Sequence, residues 1–195
     1  MEIANGRLIF ETPRLSIHLA TIDDASLIHT LWTDGRVMRN VGFPKGMPMT
    51  LEDVCADIQG RDANEFSQLL VVRLKRTGEA IGQCKMRLPD EHGISETDVK
   101  LLPTYWGHRF GVEIKRGLVD YLFTHTDCDA VDATPNVSNQ ASIKMQEAVG
   151  GVKIDEGTYE FPEAMREFTT PVHYVTYRVY RQAWQQSRLN VGFEP

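Results

Sequence analysis

The chain has 195 residues, of which 42% are hydrophobic and 25% charged, a composition typical of one globular domain with a hydrophobic core. No run approaches the ~18 apolar residues that cross a bilayer, and the N-terminus lacks a signal-peptide pattern, so we expect a cytoplasmic protein without membrane partners. The net charge of −6 argues against a nucleic-acid partner and mildly favours a cationic one. Three widely spaced cysteines support neither a zinc site nor a disulfide framework, so no metal is expected.

The first sixty residues alternate between strand and helix patterns. Apolar and polar residues alternate over 14–20, which predicts a half-buried strand. The segment 21–32 has apolar residues at helical spacing and predicts a helix, while the glycines and prolines of 41–49 predict a loop. A second helix is expected from about Thr50 to Arg61, because Thr50 can cap it and Asp53 makes its first turn acidic.

The middle of the chain predicts an antiparallel meander. Strand patterns over 67–74 and 80–88 flank a short segment whose Gly78 suits a hairpin turn. The alternation over 94–102 predicts a third strand, which Pro103 ends.

The last half of the chain adds helices and two further strands. A helix is expected after Gly111, a strand over 129–135, a helix over 139–151 and a long strand over 171–184. The strand, helix, strand order predicts that 129–135 pairs in parallel with the preceding strand. No linker interrupts the pattern, so residues 1–195 are interpreted as a single α+β domain.

Two glycines, Gly107 and Gly111, stand at the start of a predicted helix in "LLPTYWGHRFGVEIKRGLVDYLF", residues 101–123. Glycines at this position let several backbone N–H groups bind one anion at the positive end of the helix dipole, as in a phosphate site. A tight turn without a ligand has the same pattern.

Three segments in this order resemble the Gcn5-related N-acetyltransferase (GNAT) superfamily, in particular the ribosomal-protein N-terminal acetyltransferases and their relatives. They are "ETPRLSIHLATIDDA" (11–25), "LLPTYWGHRFGVE" (101–113) and "PNVSNQASIKMQEAVGG" (135–151). The resemblance implies a mixed, mainly antiparallel sheet flanked by helices, with parallel strands that splay apart at the cofactor site. It also implies transfer of an acetyl group from acetyl-CoA (coenzyme A) to a primary amine, on a protein N-terminus or a small molecule.

The resemblance also implies which residues bind the cofactor. The loop supplies a run of donors to the pyrophosphate, namely Trp106, Gly107, His108, Arg109, Phe110, Gly111 and Val112. The N–H groups of Leu101 and Leu102 would stabilise the oxyanion, and Asn139 and Ser142 would contact cofactor or serve as a helix cap and first turn. Arg109 departs from the family pattern, and its guanidinium either binds a phosphate or is solvated.

For the catalytic base, the resemblance implies Glu96, with Asp98 on the same strand face as the alternative. Gln146 occupies the position of the usual tyrosine acid, which leaves no acid there. Trp32 and His173 are the candidate acceptor contacts, in a pocket expected from 32–49 and from the long segment 158–171, which could also form a homodimer contact. A non-catalytic acyl-CoA-binding or interaction module stays the alternative, because Arg109 and Gln146 depart from the pattern.

Overall fold

A computed structural model describes residues 6–191, which form one eight-stranded sheet with helices on both faces. The strands are β1 (Leu8–Glu11), β2 (Leu15–Leu19), β3 (Leu70–Leu74), β4 (Ala80–Met86), β5 (Ile94–Leu101), β6 (Ala130–Ala133), β7 (Val152–Tyr159) and β8 (Val172–Tyr180). The helices are α1 (Ala25–Thr33), α2 (Gly35–Met38), α3 (Leu51–Gln59), α4 (Phe110–His125), α5 (Gln140–Glu147) and α6 (Arg181–Val191).

The strand order is β1-β2-β3-β4-β5-β6-β8-β7, and all neighbours are antiparallel except β5 and β6. The predicted meander of β3, β4 and β5 and the parallel pair are therefore confirmed. The mixed, mainly antiparallel α+β fold is confirmed with them. Two edge strands, β1 and β7, were not predicted: β1 has only four residues, and β7 is largely exposed, with an apolar alternation that ends after Ile154.

The alternation along β3 divides the core into two layers. Leu70 and Val72 pack with α4 in the larger cluster, whereas Val71 packs with α1 and α3 on the opposite face. Helix α5 packs against α4 and β8, and α6 packs against β8. The sheet is thus the middle of three layers, with α1 and α3 on one face and α4 and α5 on the other.

The end of the last predicted strand was wrong. β8 stops at Tyr180, and the chain enters α6 at Arg181 instead of continuing as a strand to Trp184. The Arg181 guanidinium donates to the carbonyls of Phe123 and Thr126, at 2.6 and 2.7 Å, near the C-terminus of α4. A cation at this end of a helix is favourable, so these bonds fix the turn that ends the strand.

Candidate functional site

A cavity opens within the sheet where β5 and β6 separate. The two strands pair from Ile94 with Ala130 to Glu96 with Asp132, and their described residues pair no further. Beyond these pairs lies a cavity of about 350 Å³. Residues of α2 line one side of it and residues of α4 and α5 the other, so the cavity connects the two faces of the sheet.

The hydrogen-bond ladder of β5 determines which backbone groups face this gap. The N–H of Leu102 donates to the carbonyl of Ile81, next to β4, at 3.0 Å. Because an antiparallel ladder alternates, the N–H groups of Val99 and Leu101 point the other way, towards the gap. The carbonyl of Leu101 accepts a bond from Trp106 Nε1 at 2.9 Å. The prediction of a free N–H at Leu102 was therefore wrong, since its donor is already used.

The loop before α4 ends in an uncapped helix terminus. Gly107 and Arg109 have positive φ angles of 81° and 63°, and the helix begins at Phe110, slightly earlier than predicted. Arg109 occupies the N-cap position and forms no side-chain cap. The N–H groups of Phe110, Gly111 and Val112 therefore lack partners within the helix. They form a donor set at the positive end of a 16-residue helix.

Arg109 is the one non-glycine residue with a positive φ in residues 6–191. This left-handed conformation costs an L-residue roughly 1–2 kcal/mol, which explains why a glycine would suit the position better. The Arg109 side chain is exposed, and it lines a groove together with His108, Val112 and Arg116. Both predicted roles, a phosphate contact and a solvated side chain, are compatible with this exposure.

An acidic anchor that the sequence analysis missed holds this loop against the start of β2. The Glu113 carboxylate accepts bonds from Thr12 Oγ1 at 2.6 Å, from the Arg14 N–H at 2.8 Å and from Arg14 Nε at 2.6 Å. Burial opposes ionisation of Glu113, but these bonds outweigh it and hold the pKa below its ordinary value. The Arg14 guanidinium also lies 4.4 Å from the Phe110 ring centre and donates to the His108 carbonyl at 3.2 Å.

Helix α5 brings three polar side chains to the cavity. The Asn139 side chain accepts a bond from the Ser142 N–H at 3.2 Å, so the capping role proposed for Asn139 is present. Both residues also line the cavity, as does Gln146, which is buried. Contact of Asn139 and Ser142 with a cofactor stays a prediction.

The two candidate bases line the cavity on the face away from α4. Thr97, between them, points towards α4, so Glu96 and Asp98 point to the opposite face. Asp98 forms an ion pair with Lys100, whereas Glu96 lies 3.8 Å from Arg87 with 63% of its side chain exposed. Glu96 is therefore the less engaged of the two carboxylates.

A buried lysine on α4 lines the same cavity and was also missed. Lys115 is 1% exposed, and its Nζ donates to Thr97 Oγ1. Burial lowers the pKa of this amine to about 7, although Asp132 and Asp98 act in the opposite direction. A sequence signal existed, because Lys115 stands three residues before Leu118 on the apolar stripe of the helix.

The two candidate acceptor residues lie outside the cavity. Trp32 is half-buried against the cluster that contains α1 and α3. His173 is exposed, and its Nδ1 shares a 2.8 Å hydrogen bond with Thr158 Oγ1 of β7. The cavity lining contains neither of them, so the predicted contact of both residues with the acceptor does not fit this cavity.

The long segment 158–171 covers the loop that follows α2. The Thr170 N–H donates to the Gly42 carbonyl at 2.8 Å, and the rings of Phe161 and Phe43 meet edge to face at 5.4 Å. The two predicted parts of the acceptor pocket are thus in contact with each other. The segment itself is absent from the lining of the cavity, which on this side is formed by residues of 37–41.

Within residues 6–191, no helix is both long and apolar enough to cross a membrane. The same part of the chain holds no group of three or more histidine, cysteine or acidic side chains arranged to bind a metal ion.

Comparison with known proteins identifies the family. Residues 14–152, more than half of the chain, match the family model described as an acetyltransferase (GNAT) domain. An uncharacterized N-acetyltransferase, p20, of Bacillus licheniformis is 29% identical over 143 residues, which cover 69% of this chain and 76% of the relative. The match is to the family as a whole, and the branch of ribosomal-protein N-terminal acetyltransferases stays a prediction.

Solved structures of the same fold cover most of the chain. An acetyltransferase of the GNAT family from Bacillus anthracis has a TM-score of 0.72 at 18% identity, covering 88% of this chain and 98% of its own. Spermidine N-acetyltransferase from Vibrio cholerae, in complex with CoA and spermine, has a TM-score of 0.74 at 16% identity, with the same coverage. The aminoglycoside acetyltransferase AAC(6')-Ib, with ribostamycin and coenzyme A, has a TM-score of 0.69 at 21% identity, covering 90% and 98%. The family model, with this fold and a cavity between splayed parallel strands, leads to one conclusion: the chain belongs to the GNAT family of acetyltransferases.

Proposed function

We propose that the chain is an N-acetyltransferase that moves an acetyl group from acetyl-CoA to a primary amine. The observation that carries this proposal is the cavity through the sheet. It is lined by α4 and α5 on one face and by Glu96 and Asp98 on the other. Two substrates that approach from opposite faces could therefore meet between β5 and β6.

The start of α4 fits coenzyme A. Its free N–H groups and the helix dipole favour the anionic pyrophosphate, and Arg109 adds a positive charge beside them. Gly111 lets α4 pack closely on α5, since an added Cβ would lie only 3.1 Å from Met145 Sδ. Asn139 and Ser142 line the cavity on the same side and would contact the arm that carries the thioester. Acetyl-CoA would supply an acetyl group already activated as a thioester.

Backbone donors would assist the acyl transfer. Attack of an amine on a thioester places negative charge on the carbonyl oxygen, and fixed N–H groups aimed at that oxygen lower the barrier. Val99 and Leu101 direct their N–H groups towards the gap, where pairing with β6 has ended. This pair replaces the Leu101 and Leu102 pair predicted from the sequence.

Glu96 is the proposed base. A primary amine is largely protonated at neutral pH and must lose a proton before it attacks. The weakly engaged Glu96 carboxylate lines the cavity and can accept this proton directly or through water. Asp98 is the alternative, but its ion pair with Lys100 leaves it less free to accept a proton.

The acceptor class rests on relatives as well as on the site. One of the similar solved structures holds spermine and another holds ribostamycin, an aminoglycoside. These neighbours support a small-molecule amine as acceptor, while a protein N-terminus offers the same nucleophile. The side of the cavity lined by 37–41 would contact the acceptor.

A non-catalytic acyl-CoA-binding module is the second candidate, and two residues favour it. Arg109 holds a strained conformation in the loop where the family has glycine, and Gln146 cannot donate a proton at the position of the family acid. Such a module would bind coenzyme A without catalysing acetyl transfer.

Release of free thiol from acetyl-CoA in the presence of a panel of primary amines tests the proposal. The panel should include a polyamine, an aminoglycoside, amino acids and short peptides with free N-termini. We expect thiol release with at least one of these amines. Glu96→Gln should lower the kcat of that reaction by ~10²-fold and leave the affinity for coenzyme A nearly unchanged. Asp98→Asn is the matched control on the same strand face. Equal activity of the parent and Glu96→Gln would exclude Glu96 as the base, and coenzyme A binding without turnover on any amine would favour the module.

A further inference from the structure

Lys115 presents an unusual arrangement for a lysine. Its side chain is 1% exposed on the apolar face of α4, yet it lines the cavity between β5 and β6. Its one hydrogen-bond partner in residues 6–191 is Thr97 Oγ1, which is neutral. A buried ammonium without a bound anion is costly, so burial makes the Lys115 ammonium a stronger acid than that of an exposed lysine.

The two carboxylates that act on Lys115 through space are already engaged by other cations. Asp132 of β6 accepts two bonds from Arg178, each of 2.7 Å, and Asp98 of β5 pairs with Lys100. Both still act on Lys115 through space and favour its charged form, against the effect of burial. The amine therefore has two attractive carboxylates nearby but no ion-pair partner in the part of the chain that the structure describes.

We propose that the Lys115 ammonium donates the proton that the leaving thiolate of coenzyme A takes up. This inference rests on the proposed acetyl transfer. Lys115 and Gln146 project into the cavity from neighbouring helices, α4 and α5, on the same face of the sheet. Of these two side chains, only that of Lys115 carries a proton that it can release near neutral pH.

The proton balance of the step is closed. The amine nitrogen of the acceptor forms a bond to the acetyl carbon, and the bond from that carbon to sulfur breaks. The sulfur takes a proton from the Lys115 ammonium, which leaves a neutral amine hydrogen-bonded to Thr97. The proton lost by the acceptor goes to Glu96 and then to solvent, and Lys115 regains a proton from solvent before the next turnover.

The direction of this transfer agrees with the acidities of the two groups. A free thiol has a pKa of about 8.5, and burial lowers the pKa of Lys115 to about 7, so proton transfer from the ammonium to the thiolate is favourable. An exposed lysine with a pKa of 10.5 would hold its proton more tightly than the thiol does. Burial of Lys115 is thus what suits it to the role.

The first test compares kcat against pH for the parent and for Lys115→Met, which keeps the length of the side chain. For the parent we expect kcat to fall at high pH, as Lys115 loses its proton. For Lys115→Met we expect a kcat lower by about 10²-fold or more, little change in KM for acetyl-CoA and no such fall at high pH. Lys115→Arg keeps the charge but cannot release a proton, so it should not restore activity. Lys144→Met, a change at an exposed lysine of α5, should match the parent.

The second test does not depend on turnover. Heteronuclear NMR of isotope-labelled lysine side chains follows the Lys115 signal, which is assigned by its loss in Lys115→Met, as the pH is raised with coenzyme A bound. The Lys115 amine should titrate below the thiol pKa of about 8.5, because only then does the ammonium release its proton readily to the thiolate.

A Lys115 pKa above that of the thiol in the coenzyme A complex, or full activity of Lys115→Met or Lys115→Arg, would overturn the proposal. If the parent transfers acetyl while Lys115→Met is unaffected, only the role of Lys115 fails. If the parent binds coenzyme A and Lys115 titrates below the thiol, but no amine is acetylated, the proposed function fails instead.

Discussion

The buried Lys115 should make the stability of the protein depend on pH in a defined direction. Its pKa is about 7 in the folded chain and near the ordinary 10.5 in the unfolded chain. Between these values the unfolded chain binds the extra proton, so the free energy of unfolding rises as the pH rises. The contribution of neutral Lys115 to the free energy of unfolding is lowest below pH 7 and reaches its full value above pH 10.5.

Lys115→Met isolates this contribution, because other titrating groups cancel in the difference between the parent and the variant. The parent should gain about 1.4 kcal/mol per pH unit relative to the variant, or about 3 kcal/mol between pH 7 and about pH 9.5. Urea unfolding followed by tryptophan fluorescence measures the two free energies at each pH. Lys144→Met, at an exposed position, should show no such trend. A constant difference between the parent and Lys115→Met would mean that Lys115 keeps an ordinary pKa in the folded chain.

Three further changes test the loop and its anchor. Arg109→Gly should raise the free energy of unfolding by about 1 kcal/mol, since glycine adopts the observed φ of 63° without strain; a loss of stability in urea unfolding would contradict this. Gly111→Asp should abolish coenzyme A binding in calorimetry, because its carboxylate would repel the phosphates. The control Gly111→Ala adds only a Cβ near Met145 and should still bind coenzyme A. Unchanged affinity of the aspartate variant would exclude this loop as the phosphate site. Glu113→Gln should cost about 1–3 kcal/mol of stability through weakened bonds to Arg14, and an unchanged unfolding midpoint would show that the anchor is dispensable.

The sequence predicted those parts of the fold that depend on local periodicity. The strands β3, β4 and β5 have clear apolar alternation and turn residues between them, and they pair as predicted. The parallel pairing of β5 with β6 followed from the helix between them. Edge strands such as β7 have little apolar burial, so periodicity alone does not detect them.

The candidate site was predicted where a motif is continuous and missed where distant segments meet. The glycine loop is one stretch of chain, and its position at the start of α4 was correctly predicted to within a few residues. The N–H of Leu102 was wrongly assigned because its partner, Ile81, is set by strand register, which the sequence does not specify at that detail. The charge of the whole chain also says little about this cavity, which contains lysine and acidic side chains together.

Lys115 shows why a buried polar residue is hard to recognise from the sequence. A lysine within a helix is usually exposed, so its position on the apolar stripe gave only a weak signal. Its role depends on Thr97 and on the gap beyond Glu96, which approach it only in the folded chain.

Detection of an acetylated amine is the most direct test of the central claim. The parent and Gly111→Asp are incubated with acetyl-CoA and a panel of primary amines, and the products are identified by mass spectrometry. The parent should yield at least one amine that carries one added acetyl group, together with an equal amount of free coenzyme A, and Gly111→Asp should yield neither. An unmodified panel in the presence of parent protein that binds acetyl-CoA tightly would contradict acetyl transfer as the function of this chain.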